Sequence, residues 1–343
     1  MGYSSLEQCM QHLENLGHLI RVREEVDPTL EMAAIHLRVH EVAGPAILFE
    51  NVKGSNFRAV SNLFGTLERS KVIFGDTLSK VKSLIALKND PIKALRSPLK
   101  NLLAIKAFPK KIRNPLVKLT SQCLLSDLPQ IKSWPKDGGA YILLPQVYTE
   151  DTDKPGVMGS NLGCYRIQIS GNDFIQNKEA GLHYQIHRGI GVHQAKTNKK
   201  GEPLKVSIFV GGPPAHTLAS VMPLPEGLSE LTFAGILNNK RFRYGYENGT
   251  CISVDADFVI TGEVAPNETK PEGPFGDHLG YYSLRHEFPL MKVKKVYHKK
   301  NAIWPFTVVG RPPQEDTQFG ALIHDITGPV IPTEIPEIGR AHV

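Results

Sequence analysis

Two hydrophobic periods divide this chain. Near the start, Leu6, Met10, Leu13 and Leu16 recur at helical spacing behind Ser5. Ser5 can cap the first turn, Gln8 holds the capping-box position, and Gly17 stops the run. Leu19–Val22 then reads as a short strand, Leu30–His40 as a second helix, and Ala46–Val52 and Ala59–Leu63 as strands. This alternation predicts an α/β N-terminal domain reaching to about Thr120. Pro109, Pro115, Pro129 and Pro135 punctuate the stretch that follows, which reads as a connection. From Tyr141 the pattern turns to strands: Tyr141–Leu144, Tyr165–Ser170, Leu204–Val210, Phe258–Val264, Leu290–Val296 and Ala302–Val309. Helices are expected after Pro213-Pro214 and after Ser229. Many strands with few helices predict a barrel or sandwich.

Composition narrows the class. The 343 residues suffice for two domains; 41% apolar and 22% charged positions are ordinary for a globular protein. Cys9, Cys123, Cys164 and Cys251 are scattered without CxxC spacing, which argues against a zinc knuckle or a disulfide framework. No apolar run approaches a membrane span and no signal peptide is visible, so a cytoplasmic protein is expected. The net charge of +6 is concentrated between Pro91 and Thr120, where Lys93, Arg96, Lys100, Lys106, Lys110, Lys111, Arg113 and Lys118 occur without an acid. Nucleic acid or an anionic membrane surface could use such a patch. Interleaved leucines favour a basic-faced surface helix instead.

The chemistry concentrates in Pro271–Tyr282, PEGPFGDHLGYY. Gly273-Pro274 and Gly276 predict a shaped loop rather than helix or strand. Glu272 and Asp277 are held close on it. Two neighbouring carboxylates cannot both ionise freely, so one is expected to have a raised pKa, suited to a proton donor. Upstream, Arg166 is a permanently charged fork for a carboxylate or phosphate. Asn161, His187 and Glu230 are donors that together suit Mn²⁺ or Mg²⁺ better than zinc. Each of these residues taken alone also has a structural reading.

Taken together, the segments resemble the UbiD family of prenylated-flavin-dependent decarboxylases. The resemblance runs from about Leu19 to Asp316. It rests on AILFENVKG, SNLFGT, NLGCYRIQ, His187–Gly189, GEPLKVSIFVGGPPA, PLPEGLSE with FAG, EGPFGDHLGYY and VVGRPPQED, in that order. It implies an α+β fold: residues 1–120 as the α/β domain and 121–330 as a split β-barrel that binds prenylated FMN. It implies Asn161, His187 and Glu230 as ligands of a divalent metal, usually Mn²⁺, that bridges to the flavin phosphate. Cys164, Tyr165, Arg166, His183, Tyr184, Gln185, Arg188 and Gly189 match cofactor-binding positions, and backbone oxygens around Ser220–Met222 match a K⁺ site. Arg166, Glu272 and Asp277 match the catalytic network, with Asp277 as proton donor, Glu272 holding Arg166 and His278 as a hydrogen-bonding neighbour.

The implied activity is non-oxidative decarboxylation of an aromatic or α,β-unsaturated acid. A 4-hydroxy-3-polyprenylbenzoate or related quinone precursor of ubiquinone biosynthesis is the expected substrate. A flavin prenyltransferase would supply the cofactor, and a homo-oligomer is expected. Neither nucleic acid nor a transmembrane segment is expected, while peripheral membrane contact stays open. The alternatives are an FMN-dependent oxidoreductase and a non-enzymatic binder using Lys93–Lys118. Family members continue with an oligomerisation domain. Residues 331–343 are therefore expected to be a truncated end, and Glu337–Val343, EIGRAHV, to be non-native adaptor sequence.

Overall fold

A computed structural model describes residues 2–88, 107–185, 187–224 and 229–327. Ser5 caps the first helix, Leu6–Asn15; its hydroxyl accepts from the Gln8 amide at 3.2 Å. The Gln8 side chain reaches one residue beyond a capping box, accepting from the Ser4 amide at 2.7 Å. Leu6, Met10 and Leu13 are buried as their spacing predicts, joined by Cys9. Leu16 is exposed, because the helix has already ended there.

The first sheet is mixed. Leu19–Val26 runs parallel to Ala46–Val52, and helix Glu31–Glu41 is the crossover that a parallel pair requires. Ala46–Val52 pairs antiparallel with Arg58–Ser61. The fourth strand, Ile303–Pro305, arrives from far down the chain and lies parallel to Arg58–Ser61. Local pattern carries no signal for that pairing. The long helix Leu67–Lys88 follows this sheet. Of the basic stretch, Lys93, Arg96, Lys100 and Lys106 lie outside the described residues, as do Glu337–Val343. Lys118 stays exposed and pairs with the buried Asp255 at 3.1 Å.

The second sheet is antiparallel and carries the candidate site. Its order is Tyr141–Ile142, Ile167–Gln168, Glu179–Leu182, His286–His298, Phe258–Glu272, Leu204–Val210, Pro145–Glu150, Ser160–Gly163, with Ser121–Cys123 also pairing His286–His298. Leu204–Val210 has the predicted bounds. The two central strands extend well past their predicted cores, because their outer halves are polar and half-exposed. Their register shifts between Val264 and Thr269. A bulge there re-aims the residues beyond it, and Glu272, at the strand's end, is fully buried.

Pro271–Tyr282 is not the pure loop expected. Strand continues through Glu272, and Phe275–Gly276 then pairs with Tyr282–Ser283 as a short hairpin. Backbone pairing satisfies groups that a free loop would leave to water. Gly276 is required in this hairpin: a Cβ there would lie 2.2 Å from Trp134. The predicted helices are Pro214–Val221 and Glu230–Asn238; two more, Gly189–Lys200 and Glu315–Thr327, carry too weak an apolar stripe to be legible from pattern. Among the described residues, no helix is long and apolar enough to cross a membrane.

Candidate active site

Arg166 precedes the short strand Ile167–Gln168, and Glu272 ends the long central strand. Over a hundred residues apart in sequence, they meet as a fork. Arg166 Nε donates to Glu272 Oε1 and Nη2 to Oε2, both at 2.9 Å. Nη2 also donates to Ser283 Oγ at 3.3 Å. The third nitrogen, Nη1, points to Asp277 Oδ2 at 3.5 Å. The Phe275 ring lies under the guanidinium, 4.4 Å from Cζ. Exposure grades outward: Glu272 0%, Arg166 10%, Asp277 31%. One acid is thus a buried anchor, and the other faces solvent across the cation.

Each acid also has its own histidine. His183 Nδ1 lies 3.3 Å from Glu272 Oε2, and His278 Nδ1 lies 2.6 Å from Asp277 Oδ1. These partners overturn the expected raised pKa. Burial opposes ionisation of Glu272, but His183 and Arg166 outweigh it and hold the carboxyl below its ordinary range. Burial likewise opposes the charge on Asp277; the His278 backbone and ring, with Arg166, again prevail. The cation between the acids lets both ionise, so neither stores a proton in this state.

This network borders a cleft of about 720 Å³. Asn161, Cys164, Tyr165, Arg166, His183, Tyr184, Gln185, His187, Arg188, Gly189, Glu230 and Asp277 all line it, as do Ser220, Val221 and Met222. Of the expected site residues only Glu272 does not, because it lies beneath Arg166. Sequence reading misses Phe275, Ser283, Leu143 and Val309. Phe275 and Ser283 flank the acids within or beside one motif, a signal that hairpin pairing would expose.

Asn161 lies in Ser160–Gly163, and its amide oxygen packs so closely on Gly189 that a Cβ there would come within 2.1 Å. This contact draws the loop after His187 to the strand. Ser229 caps the helix that begins at Glu230 by accepting from the Leu231 amide. Burial raises the pKa of Glu230, and the groups bonding it are backbone amides, its own and that of Leu162. A shielded carboxylate bonded by backbone amides, an amide oxygen and an imidazole form a donor set that suits a hard divalent ion. Among the described residues, no three of His, Cys, Asp and Glu are placed to hold a metal, so such a site depends on Asn161 as a ligand. Burial pushes the Cys164 thiol up to about 12, and its backbone amide donates to the Ser220 carbonyl at 2.9 Å. Tyr184 is buried and donates to Gln194.

Two family models match the chain: the 3-octaprenyl-4-hydroxybenzoate carboxy-lyase N-terminal domain over residues 10–88, and the Rift-related domain of the same family over residues 110–312. A relative from Chlamydia pneumoniae, described as a 4-hydroxybenzoate decarboxylase component, is 41% identical over 98% of this chain and 58% of its own length. The chain thus spans somewhat over half the length of the first curated relatives it matches. Among solved structures, the closed form of vanillic acid decarboxylase from Sedimentibacter hydroxybenzoicus superposes with a TM-score of 0.83 at 23% identity, covering 98% of this chain and 71% of that one. An evolved dimeric form of the UbiD-class enzyme HmfF from Pelotomaculum thermopropionicum, in complex with prFMN, gives 0.80 at 24% identity over 97% and 74%. At such identities the structures show a shared α+β fold. The two matched domains together cover most of the chain, and on that ground it belongs to the UbiD family of 3-octaprenyl-4-hydroxybenzoate carboxy-lyases.

Proposed function

We propose that this chain carries the catalytic core of a non-oxidative carboxy-lyase that removes CO₂ from an aromatic or α,β-unsaturated acid. The observation that carries the reading is the Arg166 fork, anchored on buried Glu272 and presenting Nη1 beside Asp277 at a cleft. Residues 121–330 form the flavin-binding catalytic unit in this reading, and residues 1–120 the N-terminal α/β unit. A 4-hydroxy-3-polyprenylbenzoate or related quinone precursor is the favoured substrate class, supported by the family description and the name of the chlamydial relative.

Loss of CO₂ leaves an electron pair on carbon, and no side chain of this cleft can delocalise it. Prenylated FMN, the group named for the HmfF structure, supplies that electron sink when bound. The protein's part is positional. Arg166 binds and orients the substrate carboxylate. Glu272 holds the guanidinium in one plane, so its reach is fixed before substrate arrives. Phe275 and Leu143 give the cleft an apolar wall. Asp277 delivers the proton that replaces CO₂. Asn161, His187 and Glu230 would hold Mn²⁺ or Mg²⁺, which neutralises the flavin phosphate. Carbonyls around Ser220–Met222 would hold K⁺. A flavin prenyltransferase supplies the cofactor, the working form is a homo-oligomer, and the reaction takes place in the cytoplasm.

Co-expression with a flavin prenyltransferase, followed by absorbance spectra and CO₂-release assays on a panel of hydroxybenzoic and cinnamic acids, tests the reading. A prenylated-flavin spectrum with CO₂ release is expected. Plain FMN with redox turnover would overturn it in favour of an oxidoreductase.

A further inference from the structure

Asp277 is asked to donate a proton, yet its surroundings keep it ionised. The proton must therefore reach it during turnover from a neighbour. Among the described residues, two side chains face its carboxylate at close range. Arg166 Nη1 is 3.5 Å from Oδ2, and a guanidinium does not give up its proton in proteins. His278 Nδ1 is 2.6 Å from Oδ1. Imidazole is the side chain that gains and loses a proton in the physiological range.

The geometry of this pair is fixed by the hairpin. The Asp277 amide donates to the Tyr281 carbonyl at 3.0 Å, and the Gly280 amide to the Asp277 carbonyl at 2.9 Å. The His278 amide donates to the same Oδ1 at 2.7 Å. The two carboxylate oxygens thus have separate duties, Oδ2 toward Arg166 and Oδ1 toward His278. The His278 side chain is 61% exposed, so the ring also reaches bulk water. Charged residues from other segments also face the hairpin: Asp137 Oδ1 accepts from the Gly276 amide at 2.8 Å, Lys136 lies over the Tyr282 ring, and Asp316 and Arg311 approach from beyond it. Asp316, at the start of helix Glu315–Thr327, feels the His278 charge, and its Oδ1 is buried without a hydrogen-bond partner. Arg311 packs its Cβ against the turn at Gly280.

We propose that His278 is the proton-delivery residue of the site, recharging Asp277 from solvent once per turnover. This role rests on the decarboxylase reading above. The His278 Nδ1–H bond breaks as an Asp277 Oδ1–H bond forms. That O–H bond then breaks as a C–H bond forms on the carbon that lost CO₂. Neutral His278 regains a proton from water. One proton is consumed per CO₂ released, and nothing is oxidised or reduced. His278 also lines the cleft, and in this role it acts through Asp277.

The test uses His278→Gln and His278→Ala in the flavin-loaded protein. Glutamine can hydrogen-bond but cannot relay a proton. His278→Gln is expected to lower kcat at neutral pH by about 10²-fold or more, with KM and bound flavin unchanged. His278→Ala is expected to regain turnover as imidazole is added, in proportion to its concentration. A His278→Gln protein within twofold of wild type, or a His278→Ala loss that imidazole leaves untouched, overturns the role. A wild-type protein that releases no CO₂ overturns the decarboxylase reading and this role with it. An active wild type beside an unaffected variant overturns this role alone.

Discussion

Glu272 and Asp277 sit on the same guanidinium, and the structure separates what each contributes. Glu272 is fully buried and makes two charged hydrogen bonds at 2.9 Å. Glu272→Ala leaves Arg166, itself only 10% exposed, without its main counter-charge. Breaking a buried pair from one side costs about 3–5 kcal/mol. Asp277 is 31% exposed, and its contact to Arg166 at 3.5 Å is long for a hydrogen bond. Asp277→Asn keeps the oxygen that accepts from the His278 amide, and its cost to stability is expected to stay below about 1 kcal/mol. Activity should follow the opposite logic. Asp277→Asn removes the proposed proton donor and is expected to lower the proposed decarboxylation by about 10²–10⁴-fold while flavin stays bound. Urea unfolding followed by circular dichroism, run beside CO₂-release assays on both variants, measures the two effects. Equal destabilisation by the two substitutions, or wild-type stability of Glu272→Ala, would refute the division into anchor and donor.

Glu315 is fully buried, and burial pushes its carboxyl up to about 7 although the Phe64 amide and the Arg69 charge oppose this. A raised folded-state pKa gives stability that is present at acid pH and lost as pH rises through about 7. Glu315→Gln should therefore gain on wild type by about 3 kcal/mol between pH 4.5 and pH 8, read from paired urea titrations; a gap constant with pH would contradict this. Gly189→Ala places a Cβ 2.1 Å from Asn161 Oδ1 and should weaken Mn²⁺ binding by about tenfold or more, measured by calorimetry, with little change in the fold. Unchanged affinity would remove Asn161 from the proposed ligand set. The Cys164 thiol, raised to about 12 by burial, should resist alkylation by iodoacetamide at pH 8 in the folded protein and react only on unfolding; rapid labelling of the native chain at Cys164 would contradict it.

Much of the fold is legible where one local rule decides. Ser5 capping Leu6–Asn15 is a side-chain hydrogen bond spanning three residues, and Leu204–Val210 is an apolar run largely buried on both faces. The long strands Phe258–Glu272 and His286–His298 are legible only in their apolar halves, because their outer halves are polar on both faces and paired by backbone. Ile303–Pro305 joining the first sheet is illegible, since no residue pattern encodes a partner more than two hundred positions away. At the site, the resemblance singles out Arg166, Glu272 and Asp277, and they converge. Their protonation is not legible, because weighing two acids against each other omits the cation and the two histidines that the fold inserts beside them. His278 reads in the sequence as a hydrogen-bonding neighbour; only the fold shows its ring 2.6 Å from the Asp277 carboxylate.

The most direct test is a crystal structure of the flavin-loaded protein with a non-reacting aromatic acid. The flavin is predicted in the cleft lined by Asn161, His187 and Glu230, with the ligand carboxylate against Arg166 Nη1 and its ring carbon within reach of Asp277. Flavin and acid bound elsewhere, for instance in the separate cleft between Glu7 and His298, would contradict the account.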